Sequence, residues 1–132
     1  MNSHLPRNGG GRPYMLIASL YEATHLINNL GIENIENHIM RVKKYLHKKL
    51  SSEGYAIYGL SDDQRHWSGI TLVKTGLNKN RELKLVEELS KRGVVVSYRG
   101  ASGIRVSTHI YNSREDIDVL IDELNRLKTL IT

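Results

Sequence analysis

Arg99, Arg105 and His109 fall close together near the end of the chain. A guanidinium is a planar fork of N–H donors that can pair bidentately with a carboxylate. Placed on a strand, it is aimed better than on a loop. Arg105 lies in Ile104-Arg105-Val106-Ser107-Thr108, and Arg99 lies on the other side of the tight connection Gly100-Ala101-Ser102-Gly103. On residue type alone both read as ordinary exposed strand arginines, and His109 as a satisfied histidine near a strand end. Asp62, Asp63 and His66 are metal-ligand types, but their spacing fits no coordination pattern and a polar loop accounts for them. The chain has no cysteine, which excludes disulfides and thiolate metal sites. The densest cation cluster is Lys43, Lys44, Lys48 and Lys49, read as the solvated face of a helix.

The elements that must position these residues follow from periodicity. A helix starts near Pro13, a first-turn residue whose missing N–H costs nothing there, and Leu16, Leu20, Ala23, Ile27 and Leu30 give it an apolar spacing. Gly31 stops it. In the second helix Ile32, Ile35, Ile39, Val42, Leu46 and Leu50 form one stripe, with Arg41, Lys44 and Lys48 off it, and Gly54 ends it. Residues 55–58 and 69–73 read as strands, with a loop containing Trp67 between them. A third helix uses Leu83, Val86 and Leu89 and closes at Gly93. Residues 94–98 and 104–108 read as a hairpin. Asn112 caps the last helix, with Glu115 completing a capping box, and Ile117, Leu120, Ile121, Leu124 and Leu127 form its buried face. The order α-α-β-β-α-β-β-α predicts an α+β two-layer sandwich, with a small, mostly antiparallel sheet covered by helices on one face. Residues 1–11 are expected to be a flexible leader, and residues 12–132 a single domain.

The run Gly93-Val94-Val95-Val96-Ser97-Tyr98-Arg99, followed by Gly103-Ile104-Arg105-Val106-Ser107-Thr108-His109-Ile110-Tyr111-Asn112-Ser113, resembles the C-terminal signature of class V aminotransferases, a group that includes cysteine desulfurases and selenocysteine lyases. Gly31-Ile32-Glu33-Asn34-Ile35-Glu36 and Arg65-His66-Trp67-Ser68-Gly69-Ile70 are similar to the same family. The resemblance covers about residues 11–130 and implies the C-terminal small domain of fold type I pyridoxal phosphate (PLP) enzymes. It makes Arg105 the residue that binds the α-carboxylate of an amino-acid substrate, with Arg99 and His109 as accessory residues. Where the family has Gly-Thr-Pro, whose threonine contacts the cofactor phosphate, this chain has Gly11-Arg12-Pro13, so Arg12 becomes a candidate phosphate ligand through charge.

The resemblance further implies that catalysis is not carried by this chain alone. The Schiff-base lysine of the family belongs to a larger preceding domain, and no lysine here has a Ser/Thr-x-His-Lys context. No catalytic residue is therefore assigned, and PLP is expected only in the complete enzymes. The expected partners are a second copy of the chain or a separate PLP-binding large-domain chain, with an amino acid as ligand. Two other readings stand beside this one. One is a stand-alone module that binds amino acids or other carboxylates. The other is a basic nucleic-acid binder, motivated only by a net charge of +5 and a pI near 9.5. The latter ranks last. The chain shows no signal-peptide pattern and no apolar run of spanning length, so a cytoplasmic location away from membranes is expected.

Overall fold

A computed structural model describes residues 13–59 and 63–131 of the 132-residue chain. The leader expected at residues 1–11 lies outside the described residues. The chain divides into two units, Met1–Ile32 and Glu33–Thr132. In the first, helix α1 (Tyr14–Leu30) has Pro13 as its N-cap, one position ahead of the first turn. Ile17 N–H donates to the Pro13 carbonyl at 3.0 Å, so the proline still supplies the acceptor of the first helical bond. Gly31, at φ 79°, takes the C-cap and donates to the Ile27 carbonyl. None of the α1 side chains is buried.

The second unit builds its own core. Helix α2 (Ile32–Ser52) presents Val42, Leu46 and Leu50 as buried positions, each four residues from the next as one helical face requires. The strands are β1 (Ala56–Tyr58), β2 (Ile70–Lys74), β3 (Ser97–Tyr98) and β4 (Ile104–Ser107). They lie in the order β1-β2-β4-β3, and every neighbouring pair is antiparallel. Helix α3 (Lys79–Lys91) connects β2 to β3, and α4 (Arg114–Ile131) closes the chain.

Register decides which face is buried. Thr71 stands opposite Val106, and Val73 opposite Ile104 and Ile57. The four residues Thr71, Val73, Ile104 and Val106 are buried, and Val73, Ile104 and Val106 share a cluster with Leu46, Leu50, Leu85, Leu89, Leu120 and Leu124 from the three helices. All the apolar cover is on that one face, giving the α+β arrangement expected from the pattern. Each fully buried leucine contributes about 2 kcal/mol of transfer free energy.

Several expected details are corrected. The 94–98 strand shrinks to Ser97–Tyr98. Val94 N–H is already spent on the Leu89 carbonyl at 3.0 Å, and Gly93 N–H on Ser90, a Schellman-type closure of α3 that ties the start of the segment to the helix. In α3 the buried face is Glu82, Leu85 and Leu89, while Leu83 is exposed. Glu82 is tolerated there because Thr75 Oγ1 donates to it at 2.5 Å. The capping box of α4 sits one residue later than expected. Ser113 Oγ accepts from Asp116 N–H at 3.2 Å, and Asp116 Oδ2 accepts from Ser113 N–H at 3.0 Å. Asn112 instead accepts from His109 N–H at 2.8 Å.

Lysine 43 departs most from its expected solvated setting. It is 4% exposed, and its ammonium donates to the carbonyls of Ser68 and Ile70, each at 2.9 Å. Its Nζ also lies 5.4 Å from the centre of the Trp67 ring. Desolvation lowers its pKa below the ordinary lysine value.

Candidate functional site

Strand β4 alternates Ile104 and Val106 into the core with Arg105 and Ser107 on the opposite face. Arg105 is thus held on a central strand and kept out of the core by the pleat. Across the sheet, Tyr58, Leu72, Arg105 and Ser97 form one row on this open face. The hairpin that carries the row turns at Gly103, whose φ of 86° suits glycine. A Cβ there would come 2.1 Å from the Val73 carbonyl oxygen, so the β2–β4 pairing itself demands the missing side chain.

A hollow of about 450 Å³ opens beside the row, lined by Ser97, Arg105, Ser107, Tyr111 and Asn112 among others. Arg105 is half-buried, and no ion pair or hydrogen bond joins its guanidinium to another described residue. Its Nε is closed off and unpaired, and so is Ser97 Oγ. An unpaired buried donor is costly, so two such atoms on one wall mark a place where something polar belongs. The His38 ring and the Asn112 carbonyl are within hydrogen-bond distance at 2.9 Å, and this contact steadies the far wall.

The other sequence candidates are placed differently. Arg99 is exposed, precedes the short 3₁₀ turn Gly100–Ser102, and does not line the hollow. His109 is also exposed, and its ring stacks on Tyr111 at 4.6 Å, so it reaches the hollow only through that neighbour. Arg12 lies outside the described residues, as does Asp62. Asp63 is engaged by the Arg65 guanidinium at 2.8–3.2 Å, which holds its carboxyl below the usual range, and caps the turn Gln64–His66. Ser97 and Tyr111 were not singled out by residue type. The signal for Ser97 was its place opposite Arg105 in the hairpin, legible only once the register is known.

The class-V aminotransferase profile matches residues 2–120. The chain belongs to that family. An uncharacterised protein of Schizosaccharomyces pombe is 34% identical over 113 residues, covering 86% of this chain and 25% of the relative. A probable cysteine desulfurase of Staphylococcus epidermidis is 29% identical over 122 residues, covering 83% of this chain and 29% of the relative. Among solved structures, a Sphingomonas wittichii serine palmitoyltransferase superposes with a TM-score of 0.57 at 21% identity, over 72% of this chain and 24% of that one. A NifS-like protein superposes with a TM-score of 0.54 at 21% identity, over 89% and 30%. These likenesses show the fold. The class-V chain spans between a quarter and a third of the relatives it matches.

Related enzymes of the family use PLP. The residues around Arg105 do not by themselves fit that group: no lysine lines the hollow. Lys43, the buried lysine, spends its ammonium on two backbone carbonyls in a different pocket with His47, Trp67 and Thr71. No helix among the described residues is long and apolar enough to cross a membrane.

Proposed function

We propose that this chain supplies the amino-acid carboxylate subsite of a class-V aminotransferase-type enzyme, as the counterpart of the family's C-terminal small domain. Arg105 binds the α-carboxylate. The observation that carries the reading is an unpaired, half-buried guanidinium fixed on a central strand and facing a polar hollow. Such a cation is pre-aimed, so an anion that pairs with it does not also meet the cost of ordering the side chain. Catalysis needs a PLP-binding large domain, contributed by another chain or by further sequence of the same polypeptide. That domain is expected to cover the open face, where Tyr58 and Ile70 are about half exposed at 51% and 48%.

The test is a titration of the chain with L-alanine, read by isothermal calorimetry. One bidentate pair corresponds to a dissociation constant on the order of millimolar. Arg105→Ala should abolish the binding with the fold intact, and Arg105→Lys should weaken it, because an ammonium cannot reproduce the fork. Unaltered alanine binding in Arg105→Ala would overturn the assignment. Co-purification of a chain carrying PLP, detected by its absorbance and by mass spectrometry, would identify the complementary domain.

A further inference from the structure

We infer that Ser97 is a positioning residue for Arg105, which rests on the carboxylate-binding reading of that arginine. Three buried side-chain polar atoms among the described residues lack a hydrogen-bond partner: Ser97 Oγ, Arg105 Nε and Glu123 Oε2. Two of the three belong to residues directly opposite each other in the β3–β4 ladder. Arg99 N–H donates to the Gly103 carbonyl at 2.8 Å, two positions along the same ladder, so alternation makes Ser97 and Arg105 another hydrogen-bonded pair, with Cα atoms about 5.5 Å apart. Their side chains leave the sheet on the same face.

The two orphan atoms are also chemically complementary. Nε–H is a donor without an acceptor, and a serine hydroxyl can accept. Serine has three staggered χ1 wells, and a rotation between them moves Oγ relative to the facing Arg105 side chain without any backbone change. The hydroxyl then accepts from Nε–H and fixes the guanidinium plane. Neither Nη atom is closed off and unpaired in this way. The carboxylate therefore meets the guanidinium end-on, across its two Nη groups, and the side-on approach through Nε is unavailable. Ser97 sets affinity without touching the ligand.

The experiment follows the Arg105 side-chain Nε–Hε signal by NMR in the full ¹⁵N-labelled chain during titration with L-alanine. In the wild type the Hε proton should be protected from water exchange in the bound state. Ser97→Ala should remove that protection and raise the dissociation constant roughly tenfold, the scale of one lost hydrogen bond to a charged group. Ser97→Thr, which keeps the hydroxyl, should restore both. If Ser97→Ala leaves affinity and Hε exchange unchanged while Arg105→Ala abolishes binding, the role of Ser97 is overturned and the carboxylate subsite stands. Binding that survives Arg105→Ala overturns both. Should Ser97→Ala fail to fold, the wild-type signal decides: rapid Hε exchange in the alanine-bound state refutes the assignment, and protection supports it.

Discussion

Replacing Lys43 by methionine keeps most of the buried stem and removes the ammonium. Two carbonyls, of Ser68 and Ile70, then lose donors at 2.9 Å. A hydrogen bond from a charged donor contributes about 1.5–3 kcal/mol. Two of them are offset by the ammonium's desolvation, the same effect that lowers its pKa. Ser68 and Ile70 are themselves exposed residues, so their carbonyls partly rewet once the lysine is gone. The net loss should be about 1–3 kcal/mol, read as a fall of roughly 1 M in the urea midpoint at unchanged slope. The pH dependence has a definite sign. The folded-state pKa lies below the unfolded value near 10.5. Between the two the unfolded chain binds more protons, so the contribution of this group to stability rises with pH through that window. The difference between wild type and Lys43→Met should therefore grow from neutral pH toward pH 10.5, other groups cancelling in the subtraction. A variant as stable as wild type at every pH would refute the view that this ammonium clamps the start of β2.

Gly103→Ala should destabilise the chain by about 3 kcal/mol or more in urea denaturation, from positive φ plus the close approach to Val73, whereas Gly100→Ala, with open space around its Cβ, should lose only about 1 kcal/mol. Ser113→Ala removes the reciprocal cap of α4 and should lower stability by about 1 kcal/mol, while Asn112→Ala should cost less at that helix end. Arg105→Ala should leave the thermal midpoint within a few degrees of wild type, since the side chain stands on the open face of the sheet and outside the buried cluster. Asp118 is held below its usual pKa by Lys49 and Tyr45, so its share of stability is present above about pH 4 and is lost as pH falls through the lowered value; Asp118→Asn should flatten an acid titration in that range.

Element order was legible because α2, α3 and α4 carry apolar residues at helical spacing and α1, α2 and α3 each end at a glycine. Gly31, Gly54 and Gly93 all have positive φ where the pattern placed a stop. The strands alternate cleanly wherever one face is buried, as in Ile104-Arg105-Val106. What periodicity missed is tertiary. Leu83 and Leu85 are equally apolar, and only contact with α4 and the sheet selects Leu85 for the core. Val94 to Val96 carry every mark of a strand, yet a helix cap claims the first N–H of the run. Lys43 was grouped with Lys44 and Lys48 by charge, yet it stands four residues after Ile39 and three before Leu46, on the buried side of the helix. What the helix alone does not reveal is the pair of carbonyls that meets the ammonium, which come from Ser68 and from Ile70 at the start of β2, more than twenty residues later in the chain.

The same pleat that made β4 readable also explains why its arginine is available for binding. Every apolar helix face in the second unit packs against the Thr71, Val73, Ile104 and Val106 side of the sheet. Folding is therefore satisfied without the opposite face, and residues there are free to be chosen for what they bind. Arg105 sits at the centre of that face, and its only cross-strand neighbours in the row are Leu72, which excludes water on one flank, and Ser97, which offers a hydroxyl on the other. A cation between an apolar and a polar neighbour feels a lower local dielectric than one on an open surface, which strengthens its pull on an anion. The arrangement separates the energetics of the fold from those of the proposed carboxylate subsite, and the helices of the second unit leave that face uncovered.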